Sequence, residues 1–392
     1  MEDFKMSRKT LNLSSKTAHT TQPLFPSITM AVTRDKSIDI LKGIGIIMVV
    51  VGHSGCPDTL RTIIYMVHMP LFFLASGYFL KEDRLLDMVS FAKGKIKSLY
   101  VPFFKYAIPI LFLHNLLINV GIMSTEYGAQ YYNMGTLVQE LILRVVFMEV
   151  HGEALLGTYW FIQALFFGYI LFAAVYSIIA KMHVHSPGAW TFAFLWFSAL
   201  LISVIHHLDP GIKTVCLYRI CMGSSFIWVG HMIRQKVCTR WHLFVALLVF
   251  SSIFIIHPAS MKEQSYLQDC VSILVSGTCG FLLLHRFSKA IDNAKSSIMM
   301  SISRLLSYIG RKSFYIMTFH FLSFKAVSLL IVLCYRWEDF ALVGMHPYIT
   351  AVKGTQWWMV YSVSGVILSL VLHSLISFLK LHIIRIVTNR RL

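Results

Sequence analysis

The sequence predicts an all-α fold: a polytopic integral membrane bundle of about ten transmembrane helices, a count set by spans of roughly 17–25 residues, with both termini cytoplasmic. Three observations carry that expectation. Hydrophobic residues make up 56% of the 392 positions, and the mean hydropathy is +0.67, outside the range of soluble globular chains. Ten apolar stretches have the length that a ~30 Å hydrocarbon core requires. The basic residues between them alternate: one set of connections holds 25 Lys and Arg, the other 6. That asymmetry follows the positive-inside rule if the lysine-rich set is cytoplasmic.

Taken in order, residues 1–37 are polar, rich in Ser, Thr and Lys, and too poor in apolar side chains to fold alone. They are expected to be a disordered extension preceding a transmembrane domain over 38–392, with Met30 an alternative start. The expected spans are 38–54, 60–80, 99–120, 158–180, 189–207, 214–233, 241–257, 267–288, 313–335 and 358–384. The stretch 134–149 is amphipathic, carries Glu140 and Arg144, and reads as an interfacial helix within the largest extracytoplasmic connection, about 121–157. The stretch 289–312 reads as a cytoplasmic connection.

Composition also excludes several classes. The net charge of +17 is spread over the connections instead of being gathered on one soluble surface, which argues against a nucleic-acid partner. Seven Cys show no metal-like CxxC spacing and read as packing residues, so no metal is expected. The run Ile44 to Val51 followed by HSGC is too far from Met1 for a signal peptide, and His53 stands where a lipoprotein cleavage site needs an aliphatic residue.

Four basic residues fall inside spans: Lys42, Lys105, Arg219 and Lys325. Lys105 and Lys325 read as snorkelling side chains. Arg219 has no acidic neighbour in sequence, and an intramembrane cation of that kind points to a polar cavity. Eleven residues separate Lys42 from His53, close to three helical turns, so both lie on one helix face ~16 Å apart. The next span reads HMPLFFLASGYFL and sets His68, Ser76 and Gly77 among aromatics, with Pro70 a candidate kink beside His68. Alone, His68 reads as a hydrogen-bonded packing residue, and Ser76-Gly77 as a small-residue helix contact.

K-x10-H followed by HMPLFF-x-x-SGYF resembles the membrane-bound acyltransferase family 3, in particular its fucose 4-O-acetylase-like branch. Further similar pieces follow in order: YWFIQAL from Tyr159, FIWVGHMI from Phe226, and IGRKSFYIMTFH from Ile309 to His320. The resemblance implies an integral inner-membrane enzyme that moves an acetyl group from cytoplasmic acetyl-CoA, its cosubstrate, to a sugar hydroxyl of a surface or exported polysaccharide. The expected partners are thus an acyl-CoA, a glycan or lipid-linked sugar and the lipid bilayer.

On that reading His53 is the catalytic base, since a neutral imidazole accepts a hydroxyl proton near pH 7. Lys42 meets the cofactor phosphates as a point charge where many family members have Arg. Asp39 either orients Lys42 or forms a local ion pair. Arg219, Trp160 and Ser76 are candidates for stabilising the oxyanion, and His68 and His320 match family positions that touch substrate or pack. The rival class is a glycan transporter or flippase, which inverted repeats or paired broken helices would favour; neither is evident.

Overall fold

The computed structural model describes residues 35–150, 153–236, 238–261 and 267–389, and among these every regular element is helical. The helices are α1 (Lys36–Gly52), α2 (Asp58–Gly77), α3 (Met88–Lys95), α4 (Val101–Asn119), α5 (Met134–Phe147), α6 (Trp160–Lys181), α7 (Pro187–Leu208), α8 (Ile212–Gln235), α9 (Arg240–Ile256), α10 (Leu267–Asn293), α11 (Ser297–Arg311), α12 (Ser313–Tyr335) and α13 (Trp357–Asn389). Residues 1–34 of the expected extension, with the alternative start at Met30, lie outside the described residues, whereas Lys36 and Ser37 belong to the first turn of α1.

Each expected span coincides with a helix. Among the described residues seven helical segments are long and apolar enough to cross a bilayer: Asp58–Gly77, Met88–Asn119, Ala154–Lys181, Pro187–Leu208, Leu267–Asn293, Ser313–Tyr335 and Trp357–His382. The other three are α1 and α9, of 17 residues each, and α8. Helix α8 packs against α2, α6, α7 and α10, which lets it bury Ser224, Ser225 and His231 where lipid would not accept them.

Helix α1 is the hub, in contact with α2, α10, α11, α12 and α13. Its contact with α11 is backbone to backbone: a Cβ on Gly43 would meet the Leu306 carbonyl, and one on Gly310 would meet that of Asp39. The face α11 turns inward is small, with Ser303, Ser307 and Gly310 all buried. The α2–α8 crossing works the same way, Gly77 against the Ile227 backbone and Gly230 against that of Leu74.

Four expectations are corrected. Residues 88–98 are helical, not a connection, because Asp87 caps α3 by accepting from the Ser90 N–H at 3.1 Å. The stretch 289–312 is mostly helix: α10 runs on to Asn293, and α11 fills the rest against α1. The stretch 134–149 is helical as expected, but Arg144 is not on its outer, polar face; it is fully enclosed, donates to the Ala107 carbonyl at 3.1 Å and lies 3.6 Å from both Glu140 and Glu153, while α5 turns Met134, Ile142 and Val146 outward. Lys325 does not snorkel. It is buried, and its Nζ donates to the carbonyls of Gly344 (3.1 Å) and Met345 (2.7 Å), tying the segment 336–356 to α12.

Candidate functional site

A cavity of about 1110 Å³ runs through the bundle. Lys42, Ile46, Val49 and His53 line it from α1, a stripe at steps of four, three and four residues, which is one helical face. Helix α2 supplies a matching stripe of Arg61, Tyr65, His68, Phe72 and Ser76. Pro70 lies off that stripe, packed against the place where Gly277 of α10 has no side chain.

At the Lys42 end the wall is cationic. Lys105 and Arg311 join Lys42 there, because Tyr106 packs on Phe314 and Tyr315 at the start of α12, directly after Arg311. Arg311 donates to the Ser307 hydroxyl at 2.7 Å. Arg219 lies over the Trp160 ring, 4.3 Å from its centroid, and donates from Nε to the Met261 carbonyl at 3.2 Å. The stacking orients a guanidinium whose planar fork is suited to anions and oxyanions.

Among the described residues the one carboxylate in the wall is that of Glu153, which is fully enclosed, accepts from His114 Nδ1 at 2.9 Å and lies 3.6 Å from Arg144. His114 is further held by the Gln130 carbonyl at 2.8 Å and by Tyr132 stacked at 3.7 Å. With five cationic residues and one enclosed carboxylate among its described lining, the cavity favours an anionic guest.

At the other end, His53 follows the last residue of α1 and keeps the helical pattern, its N–H donating to Val49 and Val50. Around it stand Tyr65 (ring centroids 6.1 Å apart), His320 (5.7 Å) and Phe321 (5.2 Å). Phe321 in turn carries His346 on its edge at 4.4 Å. His346, Pro347 and Tyr348 belong to the segment that Lys325 anchors, and they close this end. Burial, with the charge of Lys325 and the nearby His320, lowers His346 to about 3, so it is neutral at physiological pH.

Six of the eight residues singled out from sequence therefore share one cavity wall: Lys42, His53, His68, Ser76, Trp160 and Arg219. His68 is also bonded within its own helix, Nδ1 donating to the Ile64 carbonyl at 2.8 Å. Ser76 receives the Tyr169 hydroxyl on its backbone oxygen at 2.8 Å. Asp39 is outside the wall, buried where α1 meets α11. His320 is also outside it, fully buried directly behind His53. Sequence reasoning missed Tyr65 and Arg61, which the α2 stripe would have revealed, and His346, whose loop position carries no periodic signal.

Residues 35–379 match the family model described as the acyltransferase domain of acyltransferase family 3. No curated protein and no solved structure matches the chain significantly. With that domain spanning most of its length, on a bundle of helices apolar enough to cross a bilayer several times, the chain belongs to acyltransferase family 3 and is a multi-pass membrane acyltransferase.

Proposed function

We propose that the protein takes an acetyl group from acetyl-CoA and places it on a sugar hydroxyl of a surface or exported polysaccharide. The observation that carries this reading is one cavity with cations at one end and a histidine cluster at the other, strung along a single face of α1. The donor's phosphates belong at Lys42, Lys105 and Arg311, with Asp39 holding the turn that presents Lys42. Its thioester then points towards His53. The fucose 4-O-acetylase-like motifs support a sugar as the acceptor, and the ten helices with their one-sided Lys and Arg support cytoplasmic termini in the inner membrane.

In the reaction, the hydroxyl of the acceptor gives its proton to His53 while its oxygen bonds to the thioester carbonyl carbon. Arg219, Trp160 and Ser76 offer N–H and O–H donors along the wall for the oxyanion that forms. As the tetrahedral centre collapses, the carbon–sulfur bond breaks and the thiolate takes the proton back from His53. The products are an acetyl ester and free CoA, and His53 ends neutral. No metal enters this balance.

The test is binding of acetyl-CoA and acetyl transfer by the purified protein, together with mass analysis of surface glycan from cells with and without it. His53→Ala is expected to bind acetyl-CoA and to lose about 10²–10⁴-fold in transfer, whereas Lys42→Ala weakens binding. Near-normal transfer by His53→Ala, or a glycan whose acetyl content does not depend on the protein, overturns the reading.

A further inference from the structure

A general base of the imidazole type needs its bare nitrogen on the substrate and its N–H on something that fixes the tautomer. In many sites that partner is a carboxylate. Here a second imidazole, on a different helix, stands beside His53.

His320 of α12 is fully buried, and its Nδ1 lies 2.9 Å from the Met317 carbonyl and 3.1 Å from that of Ile316. Carbonyls only accept, so Nδ1 carries the hydrogen and Nε2 is the bare nitrogen in the neutral ring. That Nε2 is buried and has no hydrogen-bond partner. A buried acceptor left in this state is costly and is rarely kept without a use.

The spacing suggests that use. Two imidazoles joined by a ~3 Å N–H···N bond have ring centres roughly 5.3 Å apart, a ring radius being added at each end. The His53 and His320 centroids are 5.7 Å apart with their planes 34° from each other. A ring shift of roughly half an ångström, well within the tightening expected when a substrate seats, closes the bond. Phe321 packs on both rings, 5.2 Å from His53 and 4.1 Å from His320, and restricts the direction of that shift.

We infer that His320 is the positioning residue for His53: its bare Nε2 accepts the His53 N–H, selects the tautomer that faces the acceptor hydroxyl, and stabilises the imidazolium formed when that hydroxyl gives up its proton. His320 itself stays neutral and exchanges no proton, because its hydrogen is committed to the α12 backbone. This rests on His53 being the base, as proposed above. It also explains why a polar ring is kept in a fully enclosed place outside the cavity wall.

Three substitutions separate this role from packing. His320→Leu removes both nitrogens, His320→Asn keeps a donor near the Nδ1 position without the far acceptor, and His320→Gln restores an acceptor near the Nε2 position. Each full-length variant is purified, and its Kd for acetyl-CoA, its kcat for acetyl transfer to the glycan fraction of the cells and its melting temperature are measured beside wild type and His53→Ala. A hydrogen bond to a charged partner corresponds to about 10–100-fold, so Leu and Asn are expected to lower kcat by that factor with Kd within about twofold of wild type, and Gln to recover most of it. Wild-type kcat in the Leu or Asn variant overturns the assignment, as does an equal loss in all three variants. Should His53→Ala itself remain active, the base assignment falls first and this one with it; should His53→Ala be inactive while His320→Asn is not, only this one falls.

Discussion

At the scale of single residues, the loop over the His53 end carries a histidine that burial keeps neutral, and that has a pH signature outside catalysis. His346 is lowered to about 3 by burial, reinforced by Lys325 and His320, against an ordinary value of 6.5. Below about pH 6.5 the unfolded chain therefore takes up a proton at this residue that the native state refuses until about pH 3, so stability falls as pH falls through that window and is fully present above it. Thermal unfolding of the solubilised protein between pH 7.5 and 5 is expected to show a steeper loss for wild type than for His346→Phe; parallel profiles would remove His346 from the account. The same residue marks a boundary of what the sequence tells. Lys42 and His53 were legible because a helix imposes a period, and eleven residues return to the same face. His346 sits in a loop whose place over the cavity depends on Lys325, and that lysine read as a boundary residue because nothing local shows that its Nζ meets two carbonyls about twenty positions away.

At the scale of helices, type and place were readable where apolar content alone decides and misread where packing does. The ten stretches expected to span stood out by length and hydropathy, and each is a helix, seven of them long and apolar enough to cross. Residues 297–311 did not, since Arg304 and Arg311 disqualify them as a span, yet Ser303, Ser307 and Gly310 form a seam that α1 requires. Arg144 was misplaced for the converse reason: its amphipathic helix is inverted, charge inward and apolar residues out. The α1–α11 seam makes a quantitative prediction. Gly310→Ala has to displace the Asp39 backbone, so it is expected to cost about 1–3 kcal/mol as overpacking does, and to weaken acetyl-CoA binding by moving the turn that carries Lys42. Gly94→Ala, on an exposed turn of α3 where a Cβ meets nothing within 4 Å, is expected to be neutral or to stabilise by up to about 1 kcal/mol through helix propensity. Denaturation midpoints and acetyl-CoA affinity of the two variants, measured side by side, check both; a harmless Gly310→Ala would mean that the seam has slack.

At the scale of the whole molecule, the helices that fall short of the seven clearest spans include two that carry proposed site residues. Helix α1 carries Lys42 and leads to His53, and α8 carries Arg219; both are packed on several sides by other helices, so their polar groups face protein and cavity in place of lipid. Helix α1 falls short in length and not in apolar content, and 17 residues at 1.5 Å each already cover ~25 Å; the polar groups of α8 are a consequence of the site and no argument against its crossing. If α1, α8 and α9 all cross, the sides of every connection are determined. The segment containing Glu126 lies with the His53 end, and Lys295, between α10 and α11, with the Lys42 end. Both positions are exposed. In right-side-out membrane vesicles of a cysteine-free background, a membrane-impermeant maleimide is expected to label Glu126→Cys directly and Lys295→Cys only after permeabilisation. Labelling of both from outside would mean that one of the three helices does not cross, and would put the cations of the cavity on the wrong side to meet a donor made in the cytoplasm.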